Sequence, residues 1–169
     1  MKFYDDLTNL NCVACDYTCK NCNGTTNTDC LTCNTNFLVF RWFKDGIFPI
    51  GECLCLVNYY DDGSGNETCL PCHYSCKNCL DNAVANCIEC NTNNNENRYY
   101  PTENPLNGPC LCNEFYYDNN ANESCLACHY SCSVCNGILI SSCTNCGING
   151  TTHRTMTTTS CPCDVGYFD

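Results

Sequence analysis

Aliphatic carbon is scarce in this chain. Leu, Ile, Val and Phe make up 31 of its 169 residues, too few for a conventional core at this length. Basic residues are scarcer still: 7 Lys and Arg stand against 18 Asp and Glu, a net charge of −11 at pH 7. That balance argues against nucleic acid, whose binding needs clustered cations to displace counterions, and against docking on an anionic membrane surface. No run of eighteen apolar residues is present to cross a bilayer as a helix. No segment carries a sustained helical period. The opening residues, Met1-Lys2-Phe3-Tyr4-Asp5-Asp6, are not a signal peptide. An extracellular protein needs one, so a mature or internal piece of a longer chain is expected.

Cysteine is what the chain has in place of aliphatics. There are 24, about one residue in seven, well above the level that marks a disulfide scaffold. Asn supplies 26 residues and Thr 17. Such a composition is either disordered or stapled, and the cysteines point to stapling.

The cysteines repeat. They fall at 12, 15, 19, 22, 30, 33, 53 and 55, then at 69, 72, 76, 79, 87, 90, 110 and 112, then at 125, 128, 132, 135, 143, 146, 161 and 163. Each set reads C-x2-C-x3-C-x2-C-x7-C-x2-C, a loop of 19, 19 or 14 residues, then C-x-C. The x3 gaps hold Asp16-Tyr17-Thr18, His73-Tyr74-Ser75 and His129-Tyr130-Ser131. After each C-x-C comes an aromatic end: Tyr59-Tyr60-Asp61, Tyr116-Tyr117-Asp118 and Tyr167-Phe168-Asp169. Arg41, Arg98 and Arg154 each stand eight residues after a sixth cysteine. Residues 1–11 then read as the tail of a preceding repeat, because Phe3-Tyr4-Asp5-Asp6 matches Tyr59-Tyr60-Asp61-Asp62. Repeat one spans 12–68, repeat two 69–124, and an incomplete repeat three 125–169. The expected fold is a set of small disulfide-rich repeats, mostly irregular with short β-hairpins, stacked as an elongated rod-like array.

The loop before each C-x-C reads as a two-stranded hairpin. Repeat one shows it best, with Phe37 to Phe43, then Lys44-Asp45-Gly46, then Ile47 to Ile50. The tyrosine pairs suit short strands. The arginines are expected on the hairpin face, stacked on tyrosines or paired with a nearby Asp, a modest effect if exposed.

Rival chemistries are weaker. C-x2-C is zinc-ligand spacing, but consecutive pairs lie three residues apart and His73, His129 and His153 complete no His-containing site. A thioredoxin-type motif needs a βαβ context that is absent. His73 and His129 read as packed or capping residues beside a disulfide. Asp61-Asp62-Gly63-Ser64-Gly65-Asn66-Glu67 lacks the spacing of an EF-hand loop and reads as a solvated turn. No triad, paired carboxylate or phosphate loop stands out. No enzyme, metal or cofactor is expected, apart from N-linked glycans. Four N-x-[ST] sequons begin at Asn23, Asn66, Asn122 and Asn149, and the Thr-rich run 151–160 is a compositional candidate for O-glycans.

The six-cysteine run, with His-Tyr-Ser in repeats two and three, resembles the furin-like cysteine-rich repeat. That module also builds the cysteine-rich domains of the epidermal growth factor and insulin receptor families. The following C-x-C and Tyr-Tyr-Asp resemble surface proteins of unicellular eukaryotes. Eight cysteines allow 105 connectivities, which spacing alone does not choose between. The resemblance implies an interleaved order: Cys15–Cys22, Cys19–Cys30 and Cys33–Cys53; Cys72–Cys79, Cys76–Cys87 and Cys90–Cys110; Cys128–Cys135, Cys132–Cys143 and Cys146–Cys161. It also implies Cys55–Cys69 and Cys112–Cys125 between neighbours, and leaves Cys12 and Cys163 to pair beyond this stretch.

The function expected from these readings is a structural, glycosylated, extracellular or cell-surface repeat protein, a spacer or filament subunit. Its partners would be further copies of the array, or another extracellular protein or glycan. The alternative is a receptor-like or adhesive ectodomain that binds a protein or glycan. An apolar assembly patch is expected on the repeat-one hairpin at Phe37, Phe40, Trp42, Phe43 and Phe48, with Leu38, Val39, Ile47 and Ile50.

Overall fold

The computed structural model describes residues 2–8, 10–36, 38–45, 50–92, 96–101, 108–147 and 152–168. The chain divides into two compact units, Met1–His73 with Asn78–Ala83, and Tyr74–Lys77 with Val84–Asp169. The repeat phase and the compact units therefore divide it at different points.

Sulfur forms the interior. Among the described residues, every buried apolar side chain is a cysteine except Val39. Eleven disulfides are present. Repeat one holds Cys15–Cys22, Cys19–Cys30 and Cys33–Cys53. Repeat two holds Cys72–Cys79, Cys76–Cys87 and Cys90–Cys110, and repeat three Cys128–Cys135, Cys132–Cys143 and Cys146–Cys161. Cys55–Cys69 and Cys112–Cys125 join consecutive repeats. This is the interleaved order that the resemblance implies. Each such loop stabilises the fold by roughly 2–4 kcal/mol, largely by restricting the unfolded chain. That replaces the aliphatic burial the sequence lacks.

In the first unit, strands Cys19–Cys22, Cys30–Cys33, Gly51–Cys55 and Arg41–Asp45 form a four-stranded antiparallel sheet in that order. Its hairpin pairs Arg41↔Cys55, Trp42↔Leu54, Phe43↔Cys53, Lys44↔Glu52 and Asp45↔Gly51. Strand alternation sends Phe43 inward, where it packs with Tyr4 and Cys15 against the buried cysteines 19, 22, 30, 33 and 53.

In the second unit the same register survives with fewer residues. Arg98↔Cys112 and Tyr99↔Leu111 make a two-residue pair, and Arg154↔Cys163 is a single bridge. The hairpin shrinks as its loop loses apolar side chains, while the arginine stays opposite the eighth cysteine. Strands Val134–Cys135 and Cys143–Asn145 pair in repeat three, beside the buried cysteines 132, 135, 143, 146 and 161. Two short 3₁₀ turns, Val84–Asn86 and Ile140–Ser142, precede the fifth cysteines. No α-helix occurs among the described residues.

Each junction uses one set of parts. Tyr59–Tyr60 pairs with Leu70–Pro71, and Tyr116–Tyr117 with Leu126–Ala127. Phe3–Tyr4 pairs with Val13–Ala14 in the same way. Cys72 N donates to Asn58 O and Cys128 N to Phe115 O, both at 2.8 Å. The aromatic end of one repeat is thus a strand partner for the first C-x2-C of the next.

The backbone repeats as closely as the cysteines. Left-handed φ recurs at Leu7 (59°), Gly63 (68°) and Asn120 (58°), each four residues after the first residue of its aromatic end. It recurs at Phe40 (55°), Asn97 (51°) and His153 (47°), directly before each arginine. It recurs again at Asn58 (70°), Phe115 (70°) and Gly166 (96°), directly before each aromatic pair. Bulky residues in this region cost about 1–2 kcal/mol, so the positions are held by their surroundings. One cause is visible: Asp5, Asp61 and Asp118 each accept a hydrogen bond through Oδ1 from the backbone N–H two residues on.

Candidate functional site

The recurring polar feature is a buried arginine. Arg41 and Arg98 are only 4% and 3% exposed. The expected tyrosine stacking and Asp pairing are both present, but with the guanidinium buried rather than exposed. Each enters at the start of the hairpin, opposite the eighth cysteine, and its side chain runs under the turn before the next repeat. Arg41 Nε donates to Glu67 O at 2.6 Å, and Nη1 to Cys53 O at 3.1 Å. Its Nη2 meets Asp61 Oδ2 at 2.6 Å. In repeat two, Arg98 Nε donates to Glu123 O at 2.6 Å and Nη2 to Asn122 O at 3.1 Å. Nη1 donates to Cys110 O at 3.1 Å and to Asp118 Oδ2 at 2.8 Å. A planar fork with five donors suits this mixed set of carbonyls and one carboxylate.

A tyrosine closes each arrangement. Tyr17 and Tyr74 donate their hydroxyls to Asp61 Oδ1 and Asp118 Oδ1, both at 2.9 Å. Their rings lie 5.7 and 5.5 Å from the guanidinium carbons, within cation–π reach. Burial, then the hydrogen bond to Asp61, pushes the Tyr17 hydroxyl up to about 12. Tyr74 is raised for the same reasons, with Asp118 as partner. For Asp61, burial works to raise the carboxyl, but the Gly63 N–H, Arg41 and Tyr17 together hold it below the ordinary carboxylate range. Asp118 is likewise held low against burial, by Arg98, the Asn120 N–H and Tyr74.

Repeat three keeps part of this set. Arg154 Nη1 donates to Cys161 O at 2.9 Å, and the guanidinium lies 5.5 Å from the Tyr130 ring. The counterpart of Asp61 is Asp169, which lies outside the described residues.

The x3 gap carries a second repeated contact. Thr18, Ser75 and Ser131 are buried, with hydroxyls 3.9 Å from the sulfurs of Cys30, Cys87 and Cys143. Asp16 Oδ1 accepts from Thr18 N and Oγ1 at 2.9 and 2.6 Å. His129 takes that place in repeat three, accepting at Nδ1 from Ser131 N and lying 2.8 Å from Ser131 Oγ. His129 is thus a capping residue beside a disulfide.

The acidic turn 61–67 is committed internally. Asp61 serves Arg41 and Tyr17, Asp62 Oδ1 accepts from Ser64 N, and Glu67 pairs with Lys2 at 2.6 Å. Among the described residues, no group of three His, Cys, Asp or Glu is placed to hold a metal ion.

The apolar hairpin is divided. Val39 is buried, Phe40 stacks on Tyr59 with centroids 4.0 Å apart, and Phe43 faces the disulfides. Phe40 and Phe43 of the expected patch are therefore half-buried. Trp42 is 43% exposed, its Nε1 donating to Cys55 O at 3.2 Å. Phe37, Ile47 and Phe48 lie outside the described residues. Asn23, Asn66 and Asn122 are exposed, and Asn149 lies outside the description. Cys12 and Cys163 form no disulfide. By register, Cys12 matches Cys69 and Cys125, and Cys163 matches Cys55 and Cys112.

The tyrosine and aspartate of the arginine site were legible as repeated letters. Their convergence was not, because Tyr17 and Asp61 are 44 residues apart.

Such a disulfide density with almost no other interior defines a stapled extracellular repeat module. Known proteins agree. The chain is 32% identical over 152 residues to Furin-like protease 2 of Drosophila melanogaster, covering 89% of this chain and 8% of that protein. It is 28% identical over 152 residues to Cysteine repeat modular protein 2 of Tetrahymena thermophila, covering 88% and 8%. It is 31% identical over 140 residues to Extracellular matrix organizing protein FRAS1 of Homo sapiens, covering 80% and 3%. No family model matches, and no solved structure does. The chain is an array of furin-like cysteine-rich repeats, and it spans less than a tenth of the length of these relatives. No helix among the described residues is long and apolar enough to cross a membrane.

Proposed function

We propose that this array is a passive covalent spacer of an extracellular or cell-surface protein, with no catalytic step of its own. The observation that carries this is the path of the disulfides. From Cys12 the chain reaches Cys15, crosses to Cys22, returns to Cys19, crosses to Cys30, runs to Cys33, crosses to Cys53, and leaves through Cys55 to Cys69. That route uses only about a fifth of the backbone of the repeat, so tension bypasses the loops. Repeat two offers the same kind of route to Cys125.

The arginine sites support the reading. In Arg41 and Arg98 all three guanidinium nitrogens donate to the chain's own carbonyls and carboxylates, which favours a structural role over ligand capture. The name of the human relative, a matrix organiser, fits a structural setting. The register of Cys12 and Cys163 supports links of the Cys55–Cys69 kind to further repeats, which makes copies of the same module the natural neighbours. Filament growth would follow from such links between chains.

An adhesive ectodomain is the second reading. Outward cross-strand pairs favour it: Trp42↔Leu54 in repeat one and Tyr99↔Leu111 in repeat two, with Trp42, Tyr99 and Leu111 all exposed.

The test is to display arrays of one to six repeats on cells and measure the height of a terminal reporter, together with binding of the soluble fragment to matrix and cell surfaces. A spacer gives a height that grows in proportion to repeat number and no saturable binding. Saturable binding that Trp42→Ser abolishes would replace the spacer by the adhesive reading.

A further inference from the structure

We propose that Asn66 and Asn122 are N-glycosylation acceptors that take their glycan only before the turn carrying them closes. The inference rests on the secretory setting of the module, but not on its role as a spacer.

The two sequons hold one structural position. Asn66-Glu67-Thr68 runs directly into Cys69, and Asn122-Glu123-Ser124 directly into Cys125. Both asparagines are exposed, so a glycan on either meets solvent rather than the fold. The rest of each sequon is held. The middle carbonyls, Glu67 O and Glu123 O, each accept a 2.6 Å hydrogen bond from a buried arginine Nε. Asn122 O also accepts from Arg98 Nη2. Thr68 N donates to Asn66 Oδ1 at 3.2 Å, tying the acceptor amide back to its own turn. Thr68 and Ser124 are half-buried. The next residues, Cys69 and Cys125, are 2% and 4% exposed and bonded to Cys55 and Cys112.

The transferase must hold the asparagine amide and the hydroxyl two residues on at the same time. In the reaction, Asn Nδ2 forms a bond to C1 of a lipid-linked oligosaccharide and loses one proton. The bond from C1 to the pyrophosphate oxygen breaks, and the lipid pyrophosphate leaves. No oxidant or reductant takes part. A turn pinned by arginine on one side and by a disulfide on the other cannot present both groups without local opening. The reduced chain has neither constraint. Glycan transfer and closure of the inter-repeat disulfide therefore compete for the same four residues, and the arginine site sets the order.

Unglycosylated chain is prepared in two forms, oxidised with its eleven disulfides and held fully reduced. Each is offered to microsomal oligosaccharyltransferase with lipid-linked oligosaccharide, and occupancy is read by glycopeptide mass spectrometry. The reduced form should be modified at both asparagines, with Asn66→Gln and Asn122→Gln each losing its own site. The oxidised form should react about tenfold more slowly or less, because access then requires local opening. If neither form is modified at either site, the acceptor assignment fails. If both forms react equally, closure does not control transfer. A spacer that fails the height test would leave both results unaffected.

Discussion

Asp118 Oδ2 lies 2.8 Å from Arg98 Nη1, and Asp61 Oδ2 lies 2.6 Å from Arg41 Nη2, at the same separation of 20 residues. In each repeat the arginine comes from the hairpin and the aspartate from the turn beyond the aromatic strand. The pair therefore fixes the junction turn to the repeat before it. Its arginine side chains are 1% and 0% exposed, its aspartates 29% and 32%. The positive end is desolvated and the negative end is half-open, so the arrangement is neither a surface ion pair nor a fully buried one.

Arg98→Met removes the guanidinium donors from two backbone carbonyls of the turn, from Cys110 O and from Asp118 Oδ2, leaving Asp118 Oδ1 with the Tyr74 hydroxyl and the Asn120 N–H. The expected loss is about 2–4 kcal/mol in local stability, toward the lower end because Asp118 keeps some water. Amide exchange of the Tyr116–Tyr117 and Leu126–Ala127 pair, with disulfides intact, measures it. Arg98→Lys should recover part of the loss, since it keeps the charge but not the fork. A change below about 1 kcal/mol for Arg98→Met would show that the disulfides alone hold the turn.

Tyr17 supplies an alkaline limit. Its folded value, about 12, lies above the ordinary tyrosine value of about 10. The stabilisation from its hydrogen bond is thus fully present below about pH 10 and is lost as pH rises toward 12. Absorbance titration of the phenolates should show a late-ionising class that Asp61→Asn and Asp118→Asn shrink. If all eleven tyrosines titrate together, the hydroxyl–carboxylate contact is not formed in solution.

The aspartates supply the acid limit. Asp61 and Asp118 are held below their ordinary range. Their contribution is present above about pH 4 and is lost as pH falls through the lowered folded values. Junction amides should exchange faster at pH 2 than the intrinsic pH dependence predicts. In Asp118→Asn that extra acid sensitivity should vanish at the second junction and persist at the first.

Leu7 is 89% exposed and sits at φ 59°, where the equivalent residues are Gly63 and Asn120. Leu7→Asn should stabilise its turn by about 0.5–1 kcal/mol, because Asn enters the left-handed region more readily and no packing is lost. Urea unfolding of the oxidised chain reads it. A destabilised variant would mean that Leu7 is engaged in solution.

Cys55→Ala with Cys69→Ala opens the first junction while leaving every other disulfide in place. The loop it closes is short, so the expected cost is about 3 kcal/mol or less, concentrated at Tyr59–Tyr60 and Leu70–Pro71. Exchange spreading evenly through repeat one would contradict a junction that opens on its own.

Spacing in the sequence determined the disulfide frame and the short aromatic strands, and it located a hairpin before C-x-C. Those features are local or are carried by covalent positions that recur at fixed offsets. In repeat one, however, the strands are Arg41–Asp45 and Gly51–Cys55, so Lys44 and Asp45 lie in a strand and not in the expected turn. The six-cysteine frame made the resemblance, and with it the pairing order, readable from letters alone. Tertiary structure decided what the remaining residues do. A recurring arginine looks the same in sequence whether it lies in water or under a turn, and only the convergence of Tyr17, Arg41 and Asp61 from three parts of the chain buries it. The apolar hairpin read as one patch because composition does not record direction. The left-handed residue at Phe40 and the alternation at Trp42 and Phe43 divided it into an inner and an outer part. The sequons at Asn66 and Asn122 stand apart in the sequence by their shared place three residues before a first cysteine. That Arg41 and Arg98 capture their carbonyls is not legible there, since a hydrogen bond from 26 or 25 residues away leaves no local trace in the motif it holds.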